Sequence, residues 1–151
     1  MRVEGFRELE QELGKLANVN QRRASGRRAL RAAAQPMADL AQSMAPRGLS
    51  GMLAPSITVG TRLSKRQAGL HRRMFRGNRA AVEVFVGAGP LSSAHTQEFG
   101  TRFHAAQPFM RPAWDQDHRA MIERLKAELW ADIQKAVARA ERRAARRAVR
   151  G

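Results

Sequence analysis

Four histidines, a serine pair and thirteen carboxylates are the groups in this 151-residue chain with any capacity for catalysis or metal binding. His71, His95, His104 and His118 show no metal-ligand spacing, and none has a carboxylate in a known catalytic arrangement. Ser92 and Ser93 lie near His95, but a nucleophile and its base are normally brought together from distant segments, not from neighbours in sequence. Asp115 and Asp117 read as charges at a helix start, where the helix dipole favours them, more simply than as a metal pair. With no cysteine there is no thiolate nucleophile, no thiolate metal site and no disulfide, which fits a reducing compartment. GxSxG, phosphate-loop and HExxH motifs are absent. The reading is a non-enzyme with no cofactor and no metal.

One acid stands apart. Glu98 directly precedes Phe99-Gly100-Thr101, and Pro108-Phe109 and Arg111-Pro112 follow within a few residues. Taken alone this is a structural turn. Gly100 adopts a backbone conformation other residues resist, Phe99 enters the core, and Glu98 bonds a nearby backbone group or arginine.

The elements around this segment read as follows. Phe6, Leu9, Leu13 and Leu16 repeat at helical spacing among Glu8, Glu10 and Glu12, predicting an amphipathic helix over 4–17. A second helix is predicted over about 20–45, with Leu30, Met37, Leu40, Ala41 and Met44 on its apolar side and a kink or interruption at Pro36. A Pro- and Gly-rich connection follows at 45–57. The stretches 56–63 and 80–89 alternate as strands, the second with Val82, Val84 and Val86 on one face. The basic stretch 64–79 between them reads as a long loop or arm, or else as a two-stranded ribbon extending both strands. Residues 91–99 form a turn or two of helix capped by Ser92 or Ser93. A final helix begins near Arg111, with Pro112 in its first turn and Ile122, Leu125, Leu129, Ile133 and Val137 along its apolar stripe.

The fold class is therefore α+β: two N-terminal helices, a small antiparallel sheet with a long basic loop or arm, and a long C-terminal helix packed on the sheet. Residues 1–137 make one domain, and 138–151 an Arg/Ala-rich helical tail. No stretch approaches the ~20 apolar residues of a membrane span. The acidic, amphipathic N-terminus does not look like a signal peptide.

Charge is the remaining feature. The formal net charge is +15, concentrated in three blocks. Residues 62–79 hold seven Lys/Arg and no acid, 139–150 hold six Arg against one Glu, and 22–31 hold five Arg. Such blocks attract polyanions without specificity. The candidate partner- or DNA-contacting residues are Arg62, Lys65, Arg66, Arg72, Arg73, Arg76 and Arg79, with Arg139, Arg142, Arg143, Arg146 and Arg147 in the tail.

Two stretches together resemble a known family. Glu98-Phe99-Gly100-Thr101 followed by Ala106, Pro108, Phe109, Met110, Arg111, Pro112 and Ala113 is similar to a signature of the neck, tail-completion or minor-tail components of lambdoid-type long-tailed phages. Upstream, Ala45-Pro46, Gly51, Leu53, Ser56 and Ile57 resemble the helix end, turn and strand entry of the same family, and the N-terminal helix also fits. The resemblance spans about 4–135. The basic stretch 64–79 is longer than the family leads one to expect, and the Arg/Ala tail lies outside the motif.

The resemblance implies a structural virion protein, forming a ring at the head–tail junction and joining the head connector to the tail. Its expected partners are copies of itself (six by tail symmetry, twelve as the alternative), adjacent head-completion or adaptor proteins, tail-tube proteins and packaged DNA in the channel; no membrane is involved. It is assembled in the host cytoplasm. A conduit must not hold its cargo tightly, which favours protein contacts for the basic blocks. The competing reading is a free-standing basic nucleic-acid-binding protein. It rests on charge alone, since there are only eight aromatics for stacking and no reading motif. A tail-region hydrolase would need a carboxylate pair or metal site that the chain lacks.

Overall fold

The computed structural model describes residues 6–14, 18–48, 50–77 and 82–150. Helix α1 spans Phe6–Gly14. Leu9 and Leu13 share one face of it and pack on the last helix; Leu16 lies outside the described residues. Helix α2 spans Val19–Met44 and opens with Asn18, whose side chain accepts a hydrogen bond from the Asn20 backbone at 2.9 Å.

Of the kink or interruption that Pro36 predicts, the interruption does not occur: α2 runs through it. The proline withdraws its donor from the carbonyl of Ala32 and crowds it. The next carbonyl, that of Ala33, is held from outside by Arg124, whose Nε and Nη2 donate to it at 3.2 and 3.1 Å. The helix stops at Ala45, which is extended (φ −62°, ψ 130°) because Pro46 excludes it from the helical region.

A single helical turn, α3 (Leu53–Ser56), leads into β1 (Thr58–Gly60). This strand pairs antiparallel with β2 (Phe85–Gly87), Val59 opposite Val86. Both strands are shorter than their alternation implied. The intervening basic segment is a helix, α4 (Lys65–Met74), not a loop, arm or ribbon. Ser64 and Gln67 explain why: each bonds the other's backbone N–H in a reciprocal cap, and no proline or β-branched residue follows within the helix. Arg79 lies outside the described residues.

Helix α5 (Ser92–Phe99) is entered through Leu91, without a side-chain cap from either serine. Helix α6 runs from Met110 to Arg150, about 60 Å at 1.5 Å per residue. Its long-range partner is chiefly α2; only its first turns share a core with the sheet, which otherwise rests on α2. Two three-residue strands offer too little area to cover forty residues of helix, whereas the alanines of α2 let two helices approach closely.

Two clusters make the core. One joins Met37, Ala38, Ala41, Leu53, Ile57, Val59, Phe109 and Ala113, with Val84 and Val86 against it. The other joins Leu9, Ala29, Leu129 and Ile133. Between α2 and α6 the second cluster is closed by a polar lock. Asp132 accepts from Ser25 Oγ and from Arg28 Nη2, the latter at 2.6 Å. Ser25 is fully buried, and its hydroxyl is satisfied there.

Candidate functional site

The segment after α5 is built around one carboxylate. Glu98 is 5% exposed, on the last turn of α5. Its Oε2 accepts from the backbone N–H groups of Phe109 and Met110 at 2.8 and 2.9 Å. Oε1 accepts from the backbone N–H of Arg111 at 3.1 Å and from its Nε at 2.9 Å, while Arg111 Nη2 donates to the Glu98 carbonyl at 2.8 Å. A carboxylate is thereby fixed at the positive end of a 41-residue helix, on backbone donors that have no partner within the helix. Burial pushes this carboxyl up, but the hydrogen bonds from Phe109, Met110 and Arg111 outweigh it and hold Glu98 below the ordinary glutamate range.

Gly100 makes the return possible. It has φ +74°, and its N–H closes α5 on the Thr96 carbonyl at 2.8 Å. A Cβ placed there would lie 2.8 Å from the Ala106 backbone nitrogen, so a side chain is excluded by space as well as by conformation. Thr101 and His104 then close a tight hairpin, Thr101 N–H on the His104 carbonyl at 2.8 Å, and Gln107 N–H returns to the Gln97 carbonyl at 2.8 Å. Phe109 enters the core at 1% exposure, with Pro112 following in the first turn of α6.

Two aromatic rings do the reverse of what a core segment suggests. Phe99 is not in the core: it is 58% exposed, and the Arg111 guanidinium lies over its ring at 4.9 Å. The clasp between Glu98 and Arg111 turns that face of α5 outward. Phe103, at the hairpin tip, is 91% exposed. Elsewhere an open apolar cavity of about 270 Å³ lies among Met37, Val84, Val86, Trp114, Met121 and Leu125. Trp114 is half-exposed beside it, stacked on His118.

The remaining sequence candidates scatter. Ala45 is buried at the end of α2, Pro46 is half-buried, and Gly51 has φ +60° in the turn before α3. Thr101 and Pro108 are exposed on the hairpin. Arg62, Lys65, Arg66, Arg72, Arg73 and Arg76 are exposed on and around α4, and Arg139, Arg142, Arg143, Arg146 and Arg147 on the end of α6. His71 packs edge-on against Phe85, while His95 and His104 are exposed near α5 and the hairpin; among the described residues no three His, Asp or Glu are grouped to hold a metal. Asp117 does not serve as a helix-start charge alone; it pairs with Arg124. Sequence reading missed the Ser25–Arg28–Asp132 lock, for which no local signal exists. It also missed the Ser64/Gln67 cap, for which the S-x-x-Q spacing was a signal.

A comparison with protein-family models matches residues 7–100 to the family described as "Bacteriophage HK97-gp10, putative tail-component". The chain belongs to this HK97-gp10-like family. The match covers α1 to α5 and ends at Gly100, so it includes Glu98 but not Phe109, Met110 and Arg111, whose N–H groups Glu98 binds. The family is one of phage tail components, in accord with the resemblance drawn from the residues around Ala45 and Glu98. No curated protein and no solved structure gave a significant match. Among the described residues no helix is long and apolar enough to cross a membrane.

Proposed function

We propose that this tail-component family member is a structural virion protein that forms a closed ring at the phage head–tail junction and links the head connector to the tail. Its role is scaffolding and contact, not catalysis. Six copies match tail symmetry, and twelve is the alternative.

The observation that carries the reading is the pairing of a fixed apolar knob with a separate open apolar hole. Phe103 is held outward on a hairpin closed by two Thr101–His104 backbone bonds. The cavity beside Trp114 is lined by different elements, α2, β2 and α6. A ring is built from heterologous contacts, in which one patch meets a different patch on the next copy. Knob and hole on one chain supply both halves. The exposed end of α6, residues 139–149, reaches beyond the core and offers a second grip on a neighbouring protein.

Cryo-electron microscopy of the head–tail junction in purified particles tests this. The expected result is a closed ring of this chain between connector and tail tube, with Phe103 seated on the adjacent copy. Absence of the chain from mature particles overturns the proposal and favours the free-standing basic protein.

A further inference from the structure

Helix α4 orders its charge. At about 100° per residue, Lys65, Arg66, Arg72 and Arg73 fall within an arc of about 120°, with Gly69 at its centre. Arg62 before the helix and Arg76 after it extend the same basic run. The opposite face is fastened to the strand. Gln67 Nε2 donates to the Gly89 carbonyl at 2.9 Å, the His71 ring meets Phe85 edge-on at 5.3 Å, and His71 lies 3.5 Å from the Glu83 carboxylate. So the cations face solvent, and among the described residues none of these four has an acidic partner.

This arrangement is poor for the chain by itself. A ten-residue helix is too short to hold itself in water, like charges on one face repel, and no residue of α4 is buried. The glycine lowers helix propensity further. Packing does not require it, because a Cβ there would meet nothing within 4 Å. A bare, charged, outward face is explained by something outside the chain that comes close to it.

The chemistry of the face selects the occupant. Protein–protein interfaces favour aromatics, Met and Arg; the exposed Leu70, Met74 and Phe75 of this segment lie outside the arc, whose own positions are cations and a glycine. Interfaces with nucleic acid are polar and strongly basic. Lys65 to Arg73 spans about 12 Å of helix, comparable with three or four steps of 3.4 Å along a duplex strand. Guanidinium groups suit phosphate oxygens, and without an Asn, Gln or acid in the arc any base contact is confined to what arginine and lysine make with guanine. We propose that the outward face of α4 is a sequence-independent contact for the phosphodiester backbone of duplex DNA. A few phosphate contacts per copy are weak at physiological salt, so such a face guides DNA without arresting it. The inference stands on the isolated chain and does not depend on ring formation.

The test is fluorescence anisotropy of a short mixed-sequence duplex titrated with the full chain between about 50 and 200 mM salt. The triple variant Arg66→Gln/Arg72→Gln/Arg73→Gln is expected to reduce the slope of log K against log salt by about 2–3, near 0.9 per lost phosphate contact. The matched tail variant Arg142→Gln/Arg146→Gln/Arg147→Gln removes the same charge and is expected to change the slope by less than about 1. Gly69→Leu keeps every charge and raises helix propensity, and is expected to weaken binding several-fold by blocking close approach. Circular dichroism checks that each variant is folded, and Gly69→Leu serves alone if the triple variant is not. A slope unchanged by the α4 triple, an equal loss from the tail triple, or full affinity in Gly69→Leu overturns the proposal. So does polyglutamate binding as tight as duplex binding, which would make α4 a face for acidic proteins.

Discussion

Glu98 and Phe109 are joined across eleven residues by one hydrogen bond, the Phe109 N–H donating to Glu98 Oε2 at 2.8 Å. A buried carboxylate and a buried ring are thus pinned at the same point. The apolar side chain anchors α6 in the core, and the acid in the last turn of α5 satisfies the backbone N–H groups at the start of α6. The hairpin carrying Phe103 is the closed loop between them, so core and presented surface are set by one clasp.

Glu98→Gln keeps the size of the side chain but removes its charge and one acceptor. Either oxygen accepts two hydrogen bonds, and at about 1.5–3 kcal/mol each their loss is expected to cost about 3–6 kcal/mol. Chemical denaturation of the two proteins at neutral pH measures it. Equal midpoints and slopes would show that the clasp contributes nothing.

Acid exposes the same group. The pKa of Glu98 is depressed on folding, so its contribution is fully present above the unfolded value of about 4.3 and is lost as pH falls through the lower folded value. Asp132 acts in the same direction: burial raises it, but hydrogen bonds from Arg28 and Ser25 and the charges of Arg28 and Arg139 lower it further. Stability should therefore decline below about pH 4. Glu98→Gln should decline less steeply over that window, as followed by thermal melts at stepped pH.

Gly100→Ala places a methyl group against the Ala106 backbone at a φ of +74°. Strain alone costs about 1–3 kcal/mol, and the contact adds to it. A lowered melting temperature is expected, together with increased proteolysis near the hairpin. Wild-type melting would mean that the backbone relaxes freely here.

Phe109→Ala removes the largest fully buried side chain among the described residues. A loss of about 3–5 kcal/mol is expected from transfer and cavity together. Differential scanning calorimetry reads it directly, and an unchanged melting temperature would contradict the placement of the ring.

Removal of 139–151 takes away only residues beyond the second core cluster. The shortened chain should melt close to the full one, losing only the Arg139 charge that helps hold Asp132 ionised. It should enter particles poorly in a complementation assay, and unaltered incorporation would remove the tail from the docking surface.

Much of this protein is legible along the chain. Helical spacing marks α1, α2 and α6, alternation marks the two strands, and Pro46 and Gly100 mark where the path turns. These are local consequences of sterics and periodicity, which need no neighbour to act. The residues around Ala45 and Glu98 were enough to place the chain beside phage tail components. The charge-rich run before β2 is a helix and not a loop because Ser64 and Gln67 carry a local capping signal that outweighs the repulsion of its cations.

Tertiary structure decided the rest, because those outcomes depend on groups far apart in sequence. Phe99 faces solvent and Phe109 does not because Glu98 binds the start of α6, and nothing local distinguishes the two rings. Ser25, Arg28 and Asp132 meet only once α2 and α6 lie side by side. The C-terminal helix packs on α2 and not chiefly on the sheet, since that is where the larger apolar area lies. The sequence by itself determined the elements, the charge and the family. Only the folded chain determined which aromatic is buried, which is presented, and which way the cations face, because burial and exposure are properties of contacts and not of residues.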